Sequence, residues 1–184
     1  MIVNLRGTSG AGKSTLVRAI MSHYETKMAH FVERRKQPIG YTLHQTGKKS
    51  LYVPGHYETP CGGCDTLKGL DLIFGYVREA NANKRNVLFE GMLLCSDTKR
   101  IIQLAKDAGD TVIISLTTPI DQCCDNIRKR REARGDTKEL NEVNTRNRYA
   151  YEQKQIVKLQ DAGVDIRTLV YEDALSTIKQ LLDL

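Results

Sequence analysis

The amino-acid sequence predicts an α/β protein with a mostly parallel sheet covered by helices on both faces. Three observations support this fold class. Apolar, β-branched runs alternate with amphipathic helical segments along the chain. The run Thr111–Leu116 is predominantly apolar, as expected for a strand in the middle of a parallel sheet. Of the 184 residues, 40% are hydrophobic, which is enough for the core of one domain.

The first third of the chain combines parallel and hairpin elements. It opens with a short strand, Ile2–Leu5, and a helix over Ser14–Tyr24 follows a glycine-rich loop. A second strand is expected at His30–Glu33. After Pro38, alternating runs at 39–44 and 50–53 flank a turn that contains glycine, and this pattern predicts a β-hairpin.

The remaining chain alternates regularly between strands and helices. Strands are expected at Asn86–Glu90, Thr111–Leu116 and Asp165–Val170. Helices are expected at Thr66–Ala82, Lys99–Ala108, Ile120–Arg134, from about 144 to Ala162, and Ala174–Leu182. We therefore predict a single domain over 1–184 with a five-stranded, mostly parallel sheet, a hairpin insertion at about 38–65 and a lid at about 127–146.

The segment from Gly7 to Ser14 reads GTSGAGKS and fits the phosphate-loop pattern G-x-x-x-x-G-K-[ST] at every fixed position. It lies between a predicted strand and a predicted helix, where backbone N–H groups and the helix N-terminus surround phosphate oxygens. Lys13 is expected to reach the β- and γ-phosphates, and Ser14 to ligate Mg²⁺. The motif predicts binding of a nucleotide with Mg²⁺, and the expected nucleotide-binding residues are Gly7, Ser9, Gly10, Ala11, Gly12, Lys13, Ser14 and Thr15.

Two further features favour a P-loop kinase-like three-layer sandwich. The guanine-specifying element Asn-Lys-x-Asp is not matched, because the nearest string, Asn83–Asn86, lacks the aspartate. Glu90 ends an apolar strand, where a carboxylate holds Mg²⁺, directly or through water. A cap on the following helix is the alternative role for Glu90.

The second feature is the basic segment Ile127–Arg134, which follows the fourth strand of the predicted parallel sheet. An arginine-bearing lid at this position neutralises phosphate charge during transfer. On a helix, Arg128 and Arg131 share a face and are expected to act in catalysis, whereas Arg130 points elsewhere. A solvated helix surface is the alternative interpretation.

A kinase also needs a carboxylate near the acceptor hydroxyl. We expect Glu33 to be this general base, because it ends a predicted strand, and Asp65 is the second choice. The alternatives are an ion pair of Glu33 with a neighbouring arginine and an N-cap role for Asp65. The expected substrate-binding residues are Arg34, Arg35, Tyr57 and Glu58.

The cysteines indicate a reducing compartment. Five cysteines are an odd number in a chain of this size, and they predict reduced thiols and a cytoplasmic protein without a signal peptide. Cys61 and Cys64 form one C-x-x-C pair, which supplies only two of the four ligands of structural zinc. A tight glycine turn that shapes the acceptor pocket is favoured over a zinc site or a redox pair.

Charge is concentrated in two segments. The chain has a formal net charge of +6. Residues 27–49 carry six basic residues against one acidic residue, and residues 128–148 carry eight against four. Such tracts favour a polyanionic partner and are longer than a free nucleotide requires. No apolar segment is long enough to span a membrane.

Three strings carry a more specific resemblance: QPIGY at 37–41, VPGHYETPCGGCD at 53–65 and FEG at 89–91. With them, the chain resembles the phage P-loop kinases that phosphorylate 5-hydroxymethyluracil in DNA, a step in thymidine hypermodification. The resemblance runs from Ile2 to about Leu116 and more loosely through the lid. It implies ATP as donor and a base hydroxymethyl group in DNA as acceptor.

Two other functions fit the same sequence. A nucleoside, nucleotide or polynucleotide-end kinase has the same fold and lid. A regulatory protein that binds nucleotide without transferring phosphate also carries the phosphate loop. Steep loss of binding with ionic strength would indicate a DNA substrate, because it reports contacts to several phosphates.

Overall fold

The structure, a computed structural model, describes residues 1–59 and 62–184. This part of the chain forms one seven-stranded sheet and six α-helices. The strands are β1 (Ile2–Arg6), β2 (Thr26–His30), β3 (Gly40–His44), β4 (Leu51–Pro54), β5 (Asn86–Glu90), β6 (Thr111–Leu116) and β7 (Asp165–Leu169). The helices are α1 (Lys13–Met21), α2 (Leu70–Ala82), α3 (Thr98–Ala108), α4 (Ile120–Glu132), α5 (Glu142–Asp161) and α6 (Tyr171–Leu182).

The sheet confirms the predicted α/β class. Its strand order is β2-β3-β4-β5-β1-β6-β7. The five strands β4, β5, β1, β6 and β7 are parallel. β2 and β3 extend the β4 edge as antiparallel neighbours. The predicted hairpin therefore exists as β3-β4, but it is part of the main sheet, because β4 pairs with β5.

The second strand differs from the prediction. β2 covers Thr26–His30, not His30–Glu33, because residues 26–30 pair with residues 44–40 of β3. After His30 the chain leaves the sheet, and Phe31, Val32 and Glu33 are exposed. Glu33 therefore does not end a strand, and the position that made it the first choice for the general base is wrong.

The start of the third predicted helix also differs. A single-turn 3₁₀ helix covers Cys64–Thr66, and α2 begins four residues after Thr66, at Leu70. Gly69 interrupts the helical backbone between the two, since its φ is 100°. Residues with a side chain rarely adopt this conformation, which explains the glycine at this position. Asp65 is therefore not the N-cap of α2.

Helices cover both faces of the sheet, as in a three-layer sandwich. Leu16, Val17 and Ile20 of α1 pack with α6 against one face. The opposite face is covered by α2, α3 and α5, through Ile73, Phe74, Val77, Ile101, Leu104 and Leu159. Strand residues alternate between the two layers, because successive side chains of a strand point to opposite faces. No helix of the described ranges is long and apolar enough to cross a membrane.

Parallel pairing decides where the chemistry-bearing loops meet. The carboxyl ends of β1, β5 and β6 lie side by side at one edge of the sheet. The loops that follow these strands contain the phosphate-loop segment, Gly91–Leu93 and Thr117–Pro119. Ligands of parallel α/β sheets bind at this edge.

Candidate active site

The phosphate loop has the geometry that its motif predicts. It connects β1 to α1, and α1 begins at Lys13. Gly10 and Gly12 have φ angles of 84° and 98°, which allow the backbone to curl. The Lys13 ammonium is buried and donates hydrogen bonds to the carbonyls of Gly7 and Thr8. The loop thus holds its lysine over its own concave side, where phosphates bind.

Neighbouring elements brace the loop from outside. Thr118, after β6, donates its hydroxyl to the Ala11 carbonyl at 2.9 Å. Asn126 of α4 donates its amide to the Gly10 carbonyl at 2.9 Å. A Cβ atom at Gly10 would lie 2.2 Å from the Cys123 carbonyl oxygen, so α4 packs directly on this glycine. The loop conformation therefore depends on α4 as well as on its own glycines.

A buried carboxylate faces the loop. Glu90 ends β5, and its Oε1 accepts a hydrogen bond from the Ser14 hydroxyl at 2.7 Å. Burial raises the pKa of Glu90, while the Lys13 ammonium acts in the opposite direction. The helix-cap alternative finds no support in α3, whose cap is Asp97.

This pair of groups fits a magnesium ion. Mg²⁺ binds hard oxygen ligands and commonly uses one or two carboxylates together with substrate phosphates. Ser14 and Glu90 supply a hydroxyl and a carboxylate next to the loop that holds those phosphates. Within residues 1–59 and 62–184, no cluster of three or more His, Cys, Asp or Glu could hold a metal by itself.

Asp65 lies at the same pocket. Its carboxylate oxygens accept hydrogen bonds from the backbone N–H of Met92, at 2.7 Å, and of Leu93, at 3.1 Å. Its side chain therefore holds the loop after β5 and lines the pocket beside Lys13 and Glu90. Of the two predicted general bases, only Asp65 is brought to the phosphate loop.

The glycine-rich string before Asp65 packs against the buried carboxylate. Gly63 has φ of 88°, and a Cβ atom there would lie 2.4 Å from Oε1 of Glu90. Cys64 is buried, and its thiol lies 3.8 Å from the Pro54 carbonyl oxygen, within hydrogen-bonding reach of it. Cys61 lies outside the described residues. Within those residues, the geometry agrees with a tight glycine turn that shapes the pocket, and Gly62 lines it directly.

A pocket of about 580 Å³ covers the phosphate loop. Its two ends have different chemistry. Near Gly10 and Gly12 it is lined by Thr118, Gln122, Asn126, Tyr171 and Glu172. Near Lys13 and Ser14 it is lined by Glu90, Asp65, Met92, Gly62 and Arg18. The second end contains the cation, hydroxyl and carboxylates, so it is the end suited to the terminal phosphate.

The lid prediction named the wrong arginines for this pocket. Arg128 forms ion pairs with Asp125, at 2.6 Å, and with Glu142, so it connects α4 to α5. Arg131 donates to the carbonyls of Lys138, at 2.8 Å, and Glu139, at 3.0 Å. Neither side chain lines the pocket. Arg128 therefore holds the start of α5 through a carboxylate, and Arg131 holds the 133–141 loop through backbone carbonyls.

Arg130 reaches the pocket instead. It lies one helical turn after Asn126 and two turns after Gln122, and all three line the pocket. No described residue accepts a hydrogen bond from its buried Nε. The i, i+4, i+8 spacing of Gln122, Asn126 and Arg130 was a signal in the sequence. The spacing alone does not show which way this face points. Burial of Cys123 and Ile127 fixes the rotation of α4, which turns the face with Gln122, Asn126 and Arg130 toward the phosphate loop.

Sequence reasoning also missed Arg18. This residue follows Lys13 by five positions in α1, and its Nε donates to the Tyr57 carbonyl at 3.1 Å. A second nitrogen donates to the Thr59 carbonyl. Arg18 therefore joins α1 to the loop that precedes Asp65 and leaves its guanidinium at the terminal-phosphate end of the pocket.

The predicted acceptor residues after β2 lie away from the phosphate loop. Glu33 and Arg34 are about nine-tenths exposed and face each other at 3.8 Å, so the ion-pair alternative for Glu33 is confirmed. Arg35 is half-buried and donates to the carbonyls of Gln37, at 3.0 Å, and Thr66, at 2.8 Å. None of the three lines the pocket.

Tyr57 and Glu58 have structural contacts. The Tyr57 ring is buried beside the Tyr41 ring, and burial raises the pKa of its hydroxyl well above the ordinary value. The expectation that the Tyr57 side chain contacts substrate is therefore not met, although its carbonyl holds Arg18. Glu58 accepts a hydrogen bond from the Tyr41 hydroxyl at 2.7 Å, which is the main cause of its lowered pKa.

Comparison with known proteins places these features in context. No protein-family model matches the chain. The 5-hmdU DNA kinase of Pseudomonas phage PaMx11 is 39% identical over 183 residues, which cover 99% of this chain and 97% of the relative. The protein of the same name from Pseudomonas phage M6 is 25% identical over 193 aligned residues, covering 98% and 97%. That of Delftia phage PhiW-14 is 43% identical over 68 residues, or 37% of this chain and 23% of the relative.

A search of solved structures finds a deoxyadenosine kinase from M. mycoides with bound dATP. It covers 100% of both chains at 14% sequence identity, with a TM-score of 0.39. A likeness at this level carries no argument about the chain, and the fold described above follows from its own strand order and pairing.

Proposed function

Because the chain belongs to the family of 5-hmdU DNA kinases, we propose that it transfers the γ-phosphate of ATP to the hydroxymethyl group of 5-hydroxymethyluracil in DNA. The observation that carries this proposal is the full-length relationship, joined to a phosphate loop with a buried carboxylate at its terminal-phosphate end. The enzyme is a phosphotransferase with an alcohol acceptor, and phage DNA in the cytoplasm of the host cell is its proposed substrate.

The chain's own groups account for binding of the donor. Backbone N–H groups of the loop and the N-terminus of α1 surround the phosphates, and Lys13 neutralises their charge. Ser14 and Glu90 would hold Mg²⁺, which would neutralise charge on the β- and γ-phosphates when bound. Arg18 and Arg130 both line the pocket and add positive charge along the bound phosphates.

The transfer step needs one proton acceptor. The acceptor hydroxyl oxygen forms a bond to the γ-phosphorus, the bond from that phosphorus to the β–γ bridging oxygen breaks, and ADP leaves. We assign the hydroxyl proton to the carboxylate of Asp65, which lines the pocket beside Lys13 and Glu90. Each Asp65 oxygen retains a lone pair besides the one that accepts a backbone hydrogen bond.

The basic tract after β2 fits a DNA backbone better than a small substrate. Phe31 and Val32 are 59% and 45% exposed, and they lie next to the exposed side chains of Arg34 and Lys36. Exposed apolar and cationic side chains together suit a nucleic-acid surface, where the cations contact phosphates and the apolar groups contact bases. In this proposal Arg34 binds DNA, and Arg35 shapes the loop that carries it.

The test is incubation with ATP, Mg²⁺ and a duplex that contains 5-hydroxymethyluracil, followed by mass analysis of the nucleosides. We expect a phosphorylated hydroxymethyl product whose formation falls steeply with added salt. Lys13→Ala should abolish it, whereas Lys106→Ala, at an exposed lysine of α3, should match the wild type. If the free nucleotide is phosphorylated while the DNA remains unphosphorylated, the assignment of DNA as substrate is overturned.

The choice of base has its own test. Asp65→Asn should lower kcat strongly while ATP binding stays near the wild-type level, and Glu33→Gln should leave kcat unchanged. If Glu33→Gln is inactive and Asp65→Asn is active, the base assignment returns to Glu33.

A further inference from the structure

A second cleft, of about 570 Å³, lies beside the phosphate-loop pocket between α5 and the loop after β5. Met92 lines both spaces, so the two adjoin at this residue. The new cleft has polar and aromatic walls formed by Asn144, Asn147, Tyr151 and Ser96. Its volume is in the range of sites that hold one small organic ligand, and it is too small for a duplex.

The cleft adjoins the reacting end of the pocket, not the nucleoside end. The Met92 sulfur lies 3.7 Å from the Lys13 ammonium, and the Met92 backbone N–H binds Asp65. The Cys95 thiol, which lines the cleft, donates to the Gly91 carbonyl at 3.3 Å. This wall of the cleft is therefore bonded to the residue that directly follows β5. A ligand in the cleft would therefore lie beside Met92, whose sulfur contacts the Lys13 ammonium of the phosphate-loop pocket.

A buried carboxylate lies in the wall of this cleft. Glu152 of α5 is only 3% exposed, yet no described residue donates a hydrogen bond to its Oε1. The fully buried guanidinium of Arg6 interacts electrostatically with the Glu152 carboxylate. The same guanidinium donates hydrogen bonds to the carbonyls of Leu94, at 2.9 Å, and Cys95, at 3.1 Å. Leaving a buried acceptor unpaired is costly, so a cleft-lining side chain whose buried oxygen has no partner is expected to meet a donor from a ligand.

We infer that this cleft receives the acceptor base after it has turned out of the DNA duplex, with Glu152 accepting a hydrogen bond from the ring N–H of the uracil. The inference rests on the proposed function, because the ligand is its acceptor. A base inside a duplex cannot enter a cleft of this size, whereas an extruded base is read by hydrogen bonds to its pairing edge and by contacts with its ring. Asn144 and Asn147 present amide donors for the carbonyl oxygens, and Tyr151 presents a ring.

This arrangement predicts discrimination between pyrimidines. Uracil carries a hydrogen on ring N3, whereas cytosine carries a lone pair there. A carboxylate without a proton accepts a hydrogen bond and cannot donate one, so it favours the first and repels the second. A glutamine has both a donor and an acceptor at nearly the same position and therefore tolerates either base.

The experiment compares Glu152→Gln with the wild type on duplexes that contain either 5-hydroxymethyluracil or 5-hydroxymethylcytosine. We expect the wild type to prefer the uracil duplex, and the variant to lose about tenfold or more of that preference in kcat/KM. Gln153→Ala, at the next and exposed position of α5, should keep the wild-type preference. A 2-aminopurine next to the target base should gain fluorescence on binding, since extrusion of the target removes its stacking partner.

The outcomes separate the two proposals. If the wild type phosphorylates neither duplex, the proposed function fails. If it phosphorylates hydroxymethyluracil and Glu152→Gln lowers kcat/KM for both duplexes equally, Glu152 only supports Arg6 and the inference is overturned. Absence of a fluorescence change, with wild-type turnover intact, overturns extrusion. Equal preference for the free hydroxymethyl nucleotide and the duplex shows that the cleft binds a nucleotide without needing DNA, which also contradicts the inference.

Discussion

Gly10 provides the sharpest test of how the phosphate loop is supported. The phosphate-loop motif allows any residue at position 10, whereas the packing of α4 against the loop leaves room only for glycine. Gly10→Ala would place a methyl group 2.2 Å from the carbonyl oxygen of Cys123 and 2.9 Å from its carbon. Both atoms belong to the backbone of α4, which cannot move away without disturbing the packing of that helix. Ordinary contacts of a Cβ atom begin at 3.4 Å.

Two costs combine at this position. The φ of 84° costs about 1–2 kcal/mol for an L residue with a side chain. Overpacking against the helix adds about 1–3 kcal/mol. We therefore expect Gly10→Ala to lower the free energy of unfolding by about 2–5 kcal/mol. If the loop shifts to relieve the contact, it loses one or more charge-assisted hydrogen bonds to phosphate, which weakens ATP binding by about tenfold to a hundredfold.

Gly47→Ala is the matched control. Gly47 has φ of 72°, and a Cβ atom there meets no described atom within 4 Å, so only the backbone cost applies. Urea unfolding measures the stability of both variants, and calorimetric titration with ATP measures affinity. If Gly10→Ala binds ATP like the wild type and is no less stable than Gly47→Ala, α4 does not support the loop as we describe.

Three further variants test individual side chains. Because burial raises the pKa of Glu90, the folded protein binds this proton more tightly than the unfolded chain. The free energy of unfolding should thus decrease as pH rises from the ordinary pKa of 4.5 through the raised pKa. Glu90→Gln should remove this pH dependence, raise stability at neutral pH and lower kcat. A Glu90→Gln variant that is less stable than the wild type at pH 7 would contradict this reasoning. Arg130→Ala should reduce kcat by about tenfold or more in a steady-state assay, whereas Arg131→Ala should change kcat little; the reverse result would restore the first lid assignment. Tyr57→Phe removes a buried hydroxyl that has no partner among the described residues, so it should keep or raise stability by up to about 1 kcal/mol in urea unfolding. A large loss of activity in Tyr57→Phe would return this side chain to the substrate site.

Local pattern was sufficient for most elements. β5 and β6 match the predicted bounds residue for residue, and α4 and α5 flank the predicted polar loop. Apolar periodicity records which residues are buried, and buried residues define the middle of each element. β2 escaped prediction because its residues are largely exposed, so its boundaries depend on pairing with β3 and not on its own pattern.

The candidate site divides in the same way. The phosphate loop, Ser14 and Glu90 were predictable, because each follows from a motif or from the end of an apolar strand. Asp65 was the second choice and became the first because the loop after β5 folds onto it. Arg18, Arg130 and Glu152 have no motif, and their positions follow from how α1, α4 and α5 pack.

The sequence by itself determined an α/β fold with a loop that binds nucleotide phosphates, because those properties depend on residue type and on neighbours within a few positions. Its positive charge indicated a polyanionic partner. Only the tertiary structure decided which charged groups meet the phosphate loop. Arg130 reaches the pocket, whereas Arg128 and Arg131 bind α5 and its preceding loop, although all three lie within four residues of one another. The physical reason is that helix rotation and strand pairing are set by burial across the whole sheet, and this information is not contained in any short segment.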